Sequence, residues 1–224
     1  MEKINSKVVV VADGSFPSHP IPLSYIEEAD VIVCCDGSTG SLVTAGYLPD
    51  AIVGDMDSLD AELAERFADR IHADNDQETN DLTKTVLWCR NCGYNEITIV
   101  GATGKREDHT LGNISLLADY SEYIKVRMVT DTGIILPFKK SCKIETFKGQ
   151  QISIFSINPD TEITSSGLKY ALAGKKLRNW WEATLNEAVG DVVKLEFEGG
   201  AVLVFLLFRS PVPHKEGSET QTYK

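Results

Sequence analysis

No stretch of this 224-residue chain is apolar for long enough to span a bilayer, and Met1 to Lys7 holds no signal-peptide core. The expectation is a cytoplasmic protein with no membrane partner. Positive charge is scarce too. Lys and Arg number 22 against 33 Asp and Glu, a net charge of −11, and the basic residues nowhere cluster on the scale a nucleic-acid footprint needs. Cysteines are few and odd in number, five, which argues against a disulfide framework and for reduced thiols. Neither the lysine-bearing phosphate loop nor the full dinucleotide fingerprint is present, and there is no internal repeat.

What is present is an ordinary globular composition, 42% hydrophobic and 25% charged, in a chain long enough for one large domain or two smaller ones. Short β-branched runs at Val8–Val11, Val31–Cys34, Ala51–Val53, Arg70–Ala73, Ile97–Val100 and Lys125–Val129 read as buried parallel strands. Helical stripes lie between several of them: Leu59, Leu63 and Phe67; Leu82, Val86 and Cys89 behind a Thr79-Asn80 cap; and Leu111, Ile114, Leu117 and Ala118. The pattern changes near Asp131-Thr132-Gly133. Beyond it lie candidate strands at Ile134–Phe138, Cys142–Phe147, Gln151–Ser156, Val192–Glu198 and Ala201–Phe208, with Glu198-Gly199-Gly200-Ala201 reading as a hairpin turn. The fold class predicted is an α/β domain with a mostly parallel sheet over 1–132, then an all-β sandwich or barrel over 133–209. A polar tail, 210–224, is expected to be disordered.

Function is concentrated at strand ends. The third strand ends at Gly54, and Asp55 and Asp57 follow at once. Ligands of parallel sheets bind beyond the carboxyl ends of strands. Two carboxylates so close repel unless a cation lies between them, and the natural choice is a hard divalent ion such as Mg²⁺, which brings a polyphosphate with it. Asp36-Gly37-Ser38 follows the second strand in the same relation. Asp76 to Lys84 follows the fourth, and Gly101-Ala102-Thr103-Gly104-Lys105-Arg106-Glu107-Asp108-His109 follows the fifth. A glycine turn before a helix presents free N–H groups to a phosphate, and Arg106 could grip one bidentately. The competing reading of Arg106 is a surface salt bridge with Glu107 or Asp108. His109 reads more readily as a hydrogen-bonding partner than as an acid or base. Cys89-x-x-Cys92 has no second pair and reads as structural. Trp180-Trp181 fits a stacking surface and a core position equally well.

Taken together, Gly-Asp-x-Asp-Ser after a strand (Gly54 to Ser58), Asp-Gln before an acidic helix start (Asp76-Gln77) and Gly-x-x-Gly-x-Arg-x-Asp-His (Gly101 to His109) resemble thiamine pyrophosphokinases. Ser165 to Tyr170 and Asn186-Glu187 extend the resemblance into the second half. It implies an α/β nucleotide domain and a β-sandwich paired as a homodimer. It implies transfer of a diphosphoryl group from ATP to thiamine, with thiamine between one subunit's N-terminal domain and the other's C-terminal domain. By position, Asp55, Asp57 and Asp81 would hold Mg²⁺. Asp36, Gln77, Thr103, Arg106 and His109 would contact the nucleotide, and Asp108 would orient the acceptor. Asp55, Asp57, Asp81, Arg106 and Asp108 form the implied catalytic set, with the base open between Asp81 and Asp108.

The chain departs from the family pattern at several points. Ser38 stands where the Asp36 loop usually carries a second glycine, Asn80 precedes Asp81, Lys105 replaces a glycine, and Leu185 precedes Asn186. No tryptophan stands in the last hairpin, a place Trp180 or Trp181 would have to fill. The alternatives are a related diphosphotransferase acting on a pterin-type alcohol, or a non-catalytic Mg²⁺-nucleotide sensor.

Overall fold

The structure, a computed structural model, describes residues 6–209; the expected tail from Ser210 lies outside them. The β-branched runs form parallel strands β1 (Val8–Val11), β2 (Val31–Cys35), β3 (Ala51–Gly54), β4 (Ile71–Ala73), β5 (Glu96–Val100) and β6 (Lys125–Val129). They lie side by side in the order β6-β5-β1-β2-β3-β4. Helices cover both faces: α1 (Pro20–Glu27), α2 (Thr39–Thr44), α3 (Ala61–Arg66), α4 (Asp81–Asn91) and α5 (Glu107–Tyr120).

Strand alternation decides which residue meets which layer. Val8 and Val10 pack with Leu82, Val86 and Cys89 of α4 and with Leu117 and Ala118 of α5. Val9 and Val11 pack on the other face with Ile26 of α1 and Leu42 of α2, and Leu63 of α3 adds to that cluster. A strand buried on both faces needs no polar alternation, which is why β1 reads Val-Val-Val-Val. Each such side chain, fully buried, contributes about 1.5–3 kcal/mol.

The helix starts follow local chemistry. Asn80 caps α4 by accepting from Thr83 N at 2.9 Å, and Asp60 caps α3 by accepting from Glu62 N at 2.9 Å. Helix α1 went unread in the sequence. Its Pro20 sits in the first turn, where a missing N–H costs nothing, and His19 Nδ1 accepts from Ile21 N at 3.2 Å. Leu111 departs from the core stripe expected of it. It lies one turn before the part of α5 that meets the sheet, and it is 56% exposed beside an apolar cleft.

Beyond residue 132 the chain is β-rich: β7 (Gly133–Phe138), β8 (Cys142–Glu145), β9 (Gln151–Ser156), β10 (Glu162–Ser166), β11 (Lys175–Lys176), β12 (Asn186–Glu187), β13 (Val192–Glu196) and β14 (Val202–Leu207). Strand β7 pairs antiparallel with β6, and β14, β9 and β12 extend that sheet to ten strands. The order β11-β10-β13-β8 makes a separate antiparallel four-stranded sheet. Its Ile144, Ile163, Val193 and Leu195 pack in one core with Ile152, Ile154, Val202 and Val204 of the large sheet. The other face of β14 sends Leu203 into the α5 side of the large core.

Glu198 to Ala201 is not a hairpin. Strand β13 belongs to the small sheet and β14 to the large one, so this turn carries the chain between layers. Gly199 and Gly200 both have positive φ, +68° and +72°, so the glycines were a true turn signal attached to the wrong pairing. Neither tryptophan of the Trp180-Trp181 pair is a core residue; both are exposed. Trp180 and Trp181 sit in a turn between β11 and β12, not in a strand.

Candidate active site

The parallel strands run β1 to β4 to one side, then the chain returns to place β5 on the other side of β1. The strand order thus reverses at β1, and the loops after β1 and β5 meet at that reversal point, the usual ligand position of such sheets. The loop after β1, Ala12-Asp13-Gly14-Ser15, was not singled out from the sequence. Its signal was available, since Asp13-Gly14 repeats the Asp36-Gly37 pattern one strand earlier. Gly14 N donates to Gly101 O at 2.6 Å and Ser15 N to Thr103 O at 2.8 Å, so the two loops form one wall. Gly101 has φ +66°, and an added Cβ would stand 3.0 Å from Ala12 O.

A crevice at this wall holds about 350 Å³, and Asp13, Ser58, Asp81, Thr103, Arg106 and His109 are among its lining residues. Asn80 and Asp81 at the start of α4, and Arg106 and His109 at the start of α5, bring two helix N-termini to it. Free N–H groups and the positive dipole ends there favour an anion.

Beside it, Asp36, Asp55 and Asp57 place carboxylate oxygens within 4.8 Å of one another. Asp36 is buried. Its Oδ1 accepts from Gly37 N at 2.8 Å, while its Oδ2 is buried with no hydrogen-bond partner. Burial raises the Asp36 carboxyl above its ordinary range, and the charge of Asp81 adds to the effect. Gly54 makes room for it, since an added Cβ would lie 2.7 Å from Asp36 Cγ. Asp57 N donates to Asp55 Oδ1 at 3.3 Å, and this backbone bond leads the causes that hold Asp55 below the usual carboxylate range. Met56 between them has φ +69°, a conformation that turns both carboxylates the same way at a local cost. Three hard oxygen donors around an orphaned buried oxygen suit Mg²⁺.

Asp81 was expected among these ligands by resemblance. Its Oδ1 accepts from Lys84 Nζ at 3.0 Å, and the same ammonium reaches Asp55 Oδ2 at 3.3 Å. Sequence reasoning missed Lys84, because a lysine in a helix ordinarily reads as solvated. Burial alone would lower its pKa, but the hydrogen bond and charge of Asp81, joined by Asp55, leave it raised. Arg106 binds Asp108 through Nε at 3.1 Å and Nη2 at 2.6 Å, the salt bridge weighed from the sequence. That pairing, with the His109 N–H, depresses the Asp108 carboxyl to about 2. Lys105 Nζ meets Asp13 Oδ1 at 2.7 Å across the mouth of the wall. His109 is exposed at the crevice rim, and Gln77 is exposed in the loop after β4.

A second cleft of about 420 Å³ lies between α5 and the β-rich half, bounded by Ile114, Ile135, Phe155, Trp180 and Phe205. Trp180 meets Phe155 edge-on, with centroids 5.8 Å apart. Thr103 lines both clefts, so the two lie next to each other. Cys89 and Cys92 take no part in either; Cys89 is buried in α4 and Cys92 ends that helix.

Comparison with known proteins agrees with this layout. A model of the thiamin pyrophosphokinase catalytic domain matches residues 23–135, and one of the thiamin pyrophosphokinase substrate-binding domain matches residues 133–205. Thiamine pyrophosphokinase of Bacillus subtilis is 33% identical over 175 residues, covering 73% of this chain and 80% of that protein. Thiamine pyrophosphokinase 1 of rice (Oryza sativa subsp. japonica) is 30% identical over 194 residues, 73% of each chain. The crystal structure of the Bacillus subtilis thiamine pyrophosphokinase superposes with a TM-score of 0.75 at 25% identity, over 91% of this chain and 99% of that one. With both modules matched in order along the chain, this protein belongs to the thiamine pyrophosphokinase family.

Proposed function

We propose that the protein transfers the diphosphoryl group of ATP to thiamine, giving AMP and thiamine diphosphate, with Mg²⁺ as cofactor. The observation that carries this reading is the convergence of Asp36, Asp55 and Asp57, one of them with an unpartnered buried oxygen, beside a crevice faced by two helix N-termini. Asp36, Asp55 and Asp57 would hold Mg²⁺, with Asp81 adjacent. An ion held there would neutralise charge on the triphosphate.

The glycine turn and the α5 N-terminus cradle phosphate oxygens, while Thr103, Gln77 and His109 bind the nucleotide. Arg106 exchanges Asp108 for a phosphate, which frees Asp108 to orient the thiamine hydroxyl. That oxygen attacks the β-phosphorus, the bond from the α-phosphate bridging oxygen to the β-phosphorus breaks, and AMP leaves. The hydroxyl proton goes to Asp81 or Asp108, the carboxylates that line or border the crevice outside the Asp36 cluster. Residues 1–132 supply this chemistry, and residues 133–209 bind thiamine and pair two copies as a homodimer. Exposed Tyr170, Trp181, Leu185 and Val189 on the second half support that pairing. Among the described residues no helix is long and apolar enough to cross a membrane.

An acceptor panel tests the substrate. Turnover of Mg²⁺-ATP with thiamine and none with a hydroxymethyl pterin is the expected result; the reverse would assign a different acceptor. Trp180 walls the apolar cleft next to the crevice, where a flat cationic ring stacks well. Trp180→Ala should raise the KM for thiamine about tenfold and leave the KM for ATP unchanged, as steady-state kinetics would show. An unchanged thiamine KM would remove Trp180 from the acceptor site.

A further inference from the structure

Lys84 is the buried charge that the reaction as outlined does not use. Its side chain is 2% exposed, and its ammonium lies between Asp81 Oδ1 at 3.0 Å and Asp55 Oδ2 at 3.3 Å. We propose that Lys84 is a positioning residue that serves as a resident counter-charge for the acidic cluster, weakening its hold on a bare divalent cation so that the cation is taken together with an anionic phosphate. This rests on the metal reading given above.

Two of the four lone-pair positions of the Asp55 carboxylate are already occupied, one by Asp57 N and one by Lys84 Nζ. A cation arriving alone must share Asp55 with a fixed ammonium and meet its repulsion. A cation arriving with a triphosphate brings its own negative charge and oxygen ligands, which offset that repulsion. Removing the ammonium has two opposed effects. It loosens Asp55 and Asp81, and it leaves the cluster more negative. Asp55 keeps its bond from Asp57 N, so the gain in charge outweighs the loss of order. A merely structural lysine would act the other way, since its loss would disorder the ligands and weaken metal binding.

The test is Mn²⁺ binding to the full chain, followed by the spin signal of the free ion, with and without a non-hydrolysable ATP analogue. Wild type should bind Mn²⁺ weakly alone and far more tightly with the analogue. Lys84→Met and Lys84→Gln should each bind Mn²⁺ alone about tenfold more tightly than wild type, and Lys84→Arg should follow wild type. The glutamine variant keeps a hydrogen-bond donor and answers the question if the methionine variant does not fold. Unchanged or weaker Mn²⁺ binding in a folded charge-removing variant would overturn the proposal while leaving the metal site standing. Failure of wild type to bind Mn²⁺ even with the analogue would overturn the metal reading and this inference with it.

Discussion

Asp55→Asn and Asp57→Asn each lower turnover by roughly a thousandfold with the fold intact. The size follows from removing a charged oxygen ligand from an ion that offsets triphosphate charge, an interaction worth several kcal/mol in the transition state. The fold survives because both side chains lie on the loop after β3 and neither belongs to a core cluster. Asp57→Asn should leave the melting temperature near that of wild type, whereas Asp55→Asn gives up the ion pair with buried Lys84 and should lower it modestly, the chain still folding. Activity lost in Asp57→Asn together with a large loss of stability would mean that this aspartate holds the loop and not a cation. Chelation of Mg²⁺ from wild type should reproduce the loss, and restoring the ion should reverse it. Near wild-type rates for either variant at low Mg²⁺ would remove that residue from the metal site.

The second large effect is expected at Gly14. An added Cβ would stand 2.4 Å from Gly101 O, 2.5 Å from Thr103 O and 2.7 Å from Thr103 N, all backbone atoms that cannot swing aside. Gly14→Ala must part the β1 and β5 loops and break the bonds from Gly14 N and Ser15 N. The cost is about 3 kcal/mol, a fall in Tm of roughly 6–12 °C for a chain of this size. ATP binding should fall with it, because those loops form the crevice wall. Gly112→Ala supplies the opposite sign. Gly112 lies within α5 with nothing within 4 Å of the added methyl, so alanine should stabilise the protein by about 0.5–1 kcal/mol through helix propensity. Thermal melts of the two variants side by side would check both signs. Equal melting of Gly14→Ala and wild type would refute the packing of the two loops.

Much of this fold is legible in the sequence because its strands are buried on both faces. Val8–Val11 and Ala51–Val53 need no polar alternation, and loops rich in Asp and Gly at once end each run. Helix α4 is legible because its cap and its Leu82, Val86 and Cys89 stripe agree. What escapes is short or carried by long-range pairing. Helix α2 is six residues with a glycine inside it, and β11 and β12 are two residues each. Nothing local tells Gly199-Gly200 to change sheets instead of closing a hairpin; that is decided by which partners β13 and β14 find across the sandwich.

The site divides in the same way. Asp36, Asp55 and Asp57 follow strand ends directly, so their shared edge can be read off once the strands are parallel. That Asp36 and not Asp81 completes the close trio depends on the turn at residues 36–38 and on Lys84, whose burial between two aspartates no spacing reveals. The wall between Asp13-Gly14 and Gly101-Thr103 likewise requires knowing that β1 and β5 are neighbours.

The most direct test of the central claim is the product balance after mixing the protein with ATP, Mg²⁺ and thiamine. The account predicts AMP and thiamine diphosphate in equal amounts, dependent on both Mg²⁺ and thiamine. Release of ADP with thiamine monophosphate would contradict it, because single phosphoryl transfer requires attack at the γ-phosphorus and not at the β-phosphorus.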